Sequence, residues 1–80
     1  MPASQATTER VVDARASVCP GPLVDLIAAV RASGMGDTVT VLARATAAAD
    51  IRAWVAKTGH ELVVDRACDG HDELVVRRMR

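Results

Sequence analysis

Four side chains in this 80-residue sequence could carry covalent or metal chemistry: the thiols of Cys19 and Cys68 and the imidazoles of His60 and His71. Cys19 lies in the run VCPGPL, residues 18 to 23. A residue before proline is pushed out of the α region into the extended geometry that a helix N-cap also adopts. Pro20 then falls at the first helical position, where its missing N–H costs nothing and its fixed φ suits the helix. Cys19 therefore reads as an N-cap, its sulfur facing the positive end of the helix dipole and the unpaired first-turn amides, both of which favour thiolate. Pro20 and Pro22 have no N–H, so the donors left to the sulfur are Gly21 and, less directly, Leu23. Gly21 also leaves one flank of the sulfur open, and Pro22 stiffens the turn. A thioredoxin-like C-x-x-C would need its second thiol where Pro22 stands, so this helix cannot resolve its own cysteine. Such a thiolate suits a carrier that accepts sulfur as a persulfide and passes it on, or a nucleophile served by another protein's active site. Arg15, four residues earlier, is a candidate stabiliser of the thiolate, because a nearby cation lowers a thiol pKa. A cysteine before proline can also be an ordinary small buried residue; the Pro-Gly-Pro at a strand-to-helix junction tips the balance towards chemistry.

The remaining candidates are weaker. Cys68 is expected at the same sheet edge as Cys19, where a resolving role is conceivable, although an unpaired cysteine near a turn is the commoner case in a reducing compartment. A dithiol oxidoreductase would require the two Cα atoms to lie within about 7 Å. No C-x2-C or H-x3-H spacing occurs and Cys68-x-x-His71 alone is weak, so no metal site is expected, and no cofactor. The arginines at 77, 78 and 80 read as a solvated basic end.

The elements that must position Cys19 follow from periodicity and punctuation. Residues 1 to 8 are small and polar, a loose tail, and residues 9 to 80 form the domain. RVVDA, residues 10 to 14, reads as a strand. Leu23, Leu26, Ile27 and Val30 then recur at helical spacing, with Gly34 expected in the left-handed position that ends the helix and Met35 folding back on its last turn. TVTVLA, residues 38 to 43, is a β-branched strand. A second helix is expected with Thr46 as N-cap, an inner face of Ile51, Trp54, Val55 and Thr58, and Gly59 at its end. ELVVDR at 61 and ELVVRR at 73 flank Asp69-Gly70, a hairpin signal. A two-residue turn would set Leu62 opposite Arg77 and Asp65 opposite Leu74. An odd loop would align Leu62 with Val76, Val64 with Leu74 and Arg66 with Asp72, and is preferred because it pairs like with like. Two right-handed crossovers put both helices on one side. The fold class is α/β: a two-layer α/β sandwich, βαβαββ, with a four-stranded mixed sheet and two helices on one face.

Composition narrows the function classes. At this length folding buries about 60% of the unfolded chain's surface, so the core is thin. Half the residues are apolar but the aromatics amount to Trp54 alone, which leaves Val, Leu, Ile and Ala to build it. Ten basic and ten acidic residues cancel, so no long-range field attracts a phosphate backbone or anionic lipid, and direct nucleic-acid binding is not expected. With no apolar run or basic leader at the start, a cytoplasmic protein without membrane insertion is expected, a monomer when free.

The run DARASVCPGPL, with Asp13, Cys19, Pro20 and Pro22, and ADI at 49 to 51 with Trp54 in the second helix, resemble the TusA/SirA family of small sulfur-transfer proteins, over about residues 12 to 78. C-P-x-P at the start of the first helix is the specific part. The resemblance implies a βαβαββ sandwich and a persulfide on Cys19, framed by Pro20 and Pro22. It implies a sulfurtransferase acting as a carrier rather than a stand-alone enzyme. The partners implied are sulfur-donor proteins, such as a cysteine desulfurase or a rhodanese, and sulfur-acceptor proteins. The pathways served in the family are tRNA thiolation, molybdenum-cofactor maturation and dissimilatory sulfur metabolism. Two departures stand out. Ala16 replaces the family's usual glycine. The loop after the second strand, ARATAAA, is one residue shorter, with Arg44 where an acid is usual and no proline, so the partner-facing surface differs there. The alternative function is a non-catalytic binding, regulatory or redox-sensing module that uses the same surface.

Overall fold

A computed structural model of the chain describes residues 9–16 and 21–80. Its elements are β1 (Glu9–Asp13), α1 (Gly21–Ala32), β2 (Thr38–Ala43), α2 (Ala45–Thr58), β3 (Glu61–Cys68) and β4 (His71–Arg77). The strands form one sheet in the order β1-β2-β4-β3. β1 runs parallel to β2, while β4 is antiparallel to both β2 and β3. The expected two-layer sandwich with a mixed sheet is therefore present, with β4 inserted between the strands joined by α2.

Alternation along the central strands decides which face is covered. Val39, Val41 and Ala43 of β2 and Leu74 and Val76 of β4 are all fully buried. They meet Leu26 and Val30 of α1 and Ala47, Ala48, Ile51 and Val55 of α2 in one cluster. Val12, Leu23, Trp54 and Leu62 pack around it. Among the described residues no helix covers the opposite, open sheet face; Val11 on it is 63% exposed, while Thr40 at its centre is buried.

Three local expectations are corrected. First, Gly34 does not take the left-handed conformation; Gly36 does, at φ 83°. The buried Ser33 hydroxyl donates to the Ala29 carbonyl (2.8 Å) and the Asp37 carboxylate accepts from the Gly34 N–H (2.9 Å), so side chains rather than a glycine cap finish α1. Met35 does not fold back but is 65% exposed. Second, the N-cap of α2 is Arg44, at φ −67° and ψ 158°, and not Thr46. Arg44 gives the helix no side-chain cap. Gly59 ends α2 as expected, at φ 82° with its N–H on the Val55 carbonyl.

The third correction concerns the hairpin. The turn is the two-residue one: Cys68 pairs with His71, Arg66 with Glu73 and Asp65 with Leu74. Among the turn residues only Gly70 has positive φ, at 82°. The expected pairs Val64–Leu74 and Arg66–Asp72 are not formed, but Leu62 does meet Val76, because the register shifts between Leu62 and Val64. This β-bulge around Val63 sends Leu62 to the helix-covered face and Val64 to the open one, although they are two residues apart. Asp65 is left on the helix-covered side of edge strand β3, where Arg52 of α2 bonds it at 2.8 Å and also reaches Asp72 at 2.8 Å. Charge on the inward side of an edge strand discourages pairing with another chain. Two further ion pairs lock directly opposed positions, Arg66 with Glu73 (2.6 Å) and Glu61 with Arg77 (2.8 Å).

Candidate functional site

The ends of β1 and β2, the start of α2 and the β3–β4 turn meet at one end of the sheet. Ala14 continues the ladder past β1 by donating its N–H to the Leu42 carbonyl at 2.8 Å, and it is buried. Arg15 follows. Its guanidinium grips Asp13 with two parallel bonds of 2.8 and 2.7 Å, and its N–H donates to the same carboxylate at 3.3 Å. The hydrogen bonds from Arg15 hold the Asp13 carboxyl at a pKa of about 2, well below its ordinary 3.8. Arg44 reaches across 29 residues of sequence to donate its Nε–H to the Arg15 carbonyl at 2.9 Å.

Between these groups and the hairpin turn lies an open cleft of about 500 Å³, lined by Asp13, Arg15, Ala16, Arg44, Asp69, Gly70 and His71. His71 Nδ1 sits 3.2 Å from the Asp69 carbonyl. Cys68 is directly across the hairpin from His71 as a free thiol, so it does belong to this end of the sheet. The Arg66 guanidinium, two residues before Cys68 on the same strand, is raised above its ordinary pKa mainly by its hydrogen bond to Glu73.

Cys19 and Pro20, with Ser17 and Val18, lie outside the described residues. The expectations of a cysteine cap and a proline at the first helical position therefore fall there too. On either side the chain is described: Ala16 lines the cleft, and α1 runs from Gly21 with Pro22 buried beneath its first turn. Arg15, expected as a cation for the thiolate, pairs with Asp13, and its relation to Cys19 lies outside the described residues. Arg44 was legible as a departure on the partner-facing surface, Asp69 as a turn residue and His71 as a weak metal candidate, but nothing in the sequence joins the three at one cleft, because the contacts that gather them span the chain. His60, by contrast, is at the other end of the sheet, where its Nδ1 accepts the Met79 N–H at 3.1 Å. Among the described residues no group of three or more His, Cys, Asp or Glu is placed to hold a metal ion, and no helix is long and apolar enough to cross a membrane.

Three comparisons bear on this arrangement. The family model described as "Sulfurtransferase TusA" matches residues 10–78. A candidate sulfur carrier protein of Archaeoglobus fulgidus is 41% identical over 71 residues, covering 88% of this chain and 97% of that protein. The crystal structure of a SirA-like protein from Desulfitobacterium hafniense superposes with a TM-score of 0.79 at 22% identity, over 91% of this chain and all of the other, and shares the fold. On the family match, and on an archaeal relative matched over nearly its whole length, this chain belongs to the TusA family of sulfur carriers.

Proposed function

We propose that Cys19 carries the sulfur, as a persulfide that it receives from one protein and hands to another. The observation that carries this reading is the family match across residues 10–78, which spans a Cys-Pro-Gly-Pro run whose last two residues open α1. In the first step the Cys19 thiolate attacks the outer sulfur of a donor persulfide. A new S–S bond forms to Cys19, the donor's S–S bond breaks, and the donor leaves as a thiolate. In the second step an acceptor nucleophile takes that outer sulfur and Cys19 leaves as the thiolate, so no external oxidant or reductant is consumed.

The surroundings support a thiolate presented to another protein. The amides of a helix start stabilise the anion. The chain ahead of it is braced by the Asp13–Arg15 pair and by Arg44 on the Arg15 carbonyl. The open cleft beside Ala16 leaves room for the tip of a partner. Donors and acceptors are proteins bearing persulfide or a sulfur-accepting group, and the stretch from Arg44, expected as a loop but folded as the N-cap and first turn of α2, is the part of the surface that selects among them.

Incubation with a cysteine desulfurase and cysteine is expected to add one sulfur atom to the wild-type protein by mass spectrometry and none to Cys19→Ala. Sulfur on the variant overturns the assignment. The rate of thiol alkylation against pH separates the carrier from a binding or redox-sensing module: a thiol titrating at or above about 8.5, the model value, favours the module.

A further inference from the structure

The end of the sheet opposite the cleft beside Ala16 holds a second cavity, of about 330 Å³, between the C-terminal ends of α1 and α2. Its apolar part comes from Ile27 and Val30 on α1. One wall is the half-buried Trp54, whose ring centroid lies 5.2 Å from that of His60 with the planes 46° apart. The rest is Thr58 and three arginines, Arg31 in the last turn of α1 with Arg78 and Arg80. Among the described residues that line the cavity none is acidic.

The three arginines are not equivalent. Arg78 donates to the carbonyls of Ser33, Arg31 and Arg80, so its charge closes the end of α1. The Arg80 guanidinium lies over the end of α2, close enough that a Cβ on Gly59 would come within 2.8 Å of its Nε. Cations are favoured at helix C-termini, which accounts for positive charge here. That preference asks only for solvated side chains near carbonyls. It does not ask for an acid-free cavity walled by the molecule's one indole ring. Arg78 is already paired, its Nε–H on the terminal main-chain oxygen of Arg80 at 2.6 Å, but the Arg31 and Arg80 guanidiniums have no acidic side chain in the lining between them, and an anion there relieves their repulsion through paired N–H bonds. An indole and an imidazole side by side offer faces and edges for stacking a flat ring. The volume is at the small end of the range for small-molecule sites. His60 adds a donor: its Nδ1 already accepts the Met79 N–H, so the ring hydrogen of the neutral form is on Nε2.

We infer that this cavity binds a small organic anion carrying a planar ring, the ring against Trp54 and His60 and the anionic group between Arg31 and Arg80. The site lies at the opposite end of the sheet from the cleft beside Ala16 and stands independently of the carrier assignment.

Titration of the full chain with AMP, followed by the indole N–H and backbone amide resonances in two-dimensional NMR, tests this. AMP is expected to shift the Trp54 and His60 signals saturably, and to bind more tightly than either adenosine or inorganic phosphate. Arg31→Gln and Arg80→Gln, each judged folded by an otherwise unchanged spectrum, are each expected to weaken binding about tenfold. Absence of a saturable shift overturns the site. Adenosine binding as tightly as AMP, or undiminished binding by the double variant, overturns the role of the arginines. Phosphate binding as tightly as AMP overturns the role of the rings.

Discussion

His60 shows how one side chain ties chemistry to stability. Burial first, and then the charges of Arg78 and Arg80, lower its pKa below the ordinary 6.5, so the fold holds the neutral ring. Protonating Nδ1 would also break the bond from the Met79 N–H. Because the folded pKa lies below the unfolded one, the contribution is fully present above 6.5 and is lost as pH falls through the folded value. The melting temperature of the wild type should therefore drop more steeply between about pH 7 and about pH 5 than that of His60→Gln, as thermal denaturation across that window would show. Asp13 behaves alike at lower pH: its contribution, present above 3.8, fades as pH falls towards about 2. Asp13 has its partner two residues on, at Arg15, whereas the groups that act on His60 are at Arg78, Met79 and Arg80, far along the chain. Asp13 was legible only as part of the family motif, and His60 only as a residue after a helix-ending glycine.

At the scale of elements, the start of α2 gives up a good cap for a long-range brace. Arg44 at the N-cap has no oxygen to accept a first-turn N–H and sets a cation at the positive end of the dipole, while its Nε–H holds the Arg15 carbonyl. Arg44→Ser should leave stability unchanged or raise it by up to about 1 kcal/mol through capping. Sulfur loading should nevertheless slow, because the chain ahead of Cys19 loses its brace. Denaturant melts and single-turnover loading measured on the same preparation separate the two effects. The hairpin makes a parallel point. Its even turn and its bulge together satisfy what neither register satisfies alone, and the resulting inward Asp65 is held by Arg52. A double-mutant cycle on Arg52→Ala and Asp65→Ala should return a coupling of about 0.5–1 kcal/mol, since both side chains are partly exposed. A value near zero would mean that the pair is ornamental and that Asp72 alone holds Arg52.

For the whole molecule, the scarcity of aromatics makes each aliphatic contact count. A domain of this length is stabilised by about 4–12 kcal/mol in total. Leu74, fully buried in the cluster that the sheet shares with the helices, should cost about 2–5 kcal/mol when truncated to alanine. Leu74→Ala is therefore expected to approach the unfolding threshold, seen as a large fall in denaturant midpoint with Trp54 fluorescence as the probe. Val11, on the open face of edge strand β1 and 63% exposed, should tolerate alanine with little change in the same assay.

Local signals settled most of the architecture. Apolar spacing marked α1 and the inner face of α2, β-branched residues marked β2 with its ends at Thr38 and Ala43, Gly59 marked a helix end, and the Cys-Pro-Gly-Pro run marked the family. These depend on backbone preference and on periodicity over a few residues, which a chain carries whether or not it is folded. Tertiary structure decided the rest. It moved the cap of α2 from Thr46 to Arg44, which binds the Arg15 carbonyl, and closed α1 with Ser33 and Asp37 instead of Gly34. It kept the even turn and corrected the strand phase with a bulge, and it gathered the two cavities at opposite ends of the sheet. Each of those outcomes is a compromise among contacts many residues apart, where a poorer local choice is offset by a partner that only the folded chain brings within reach.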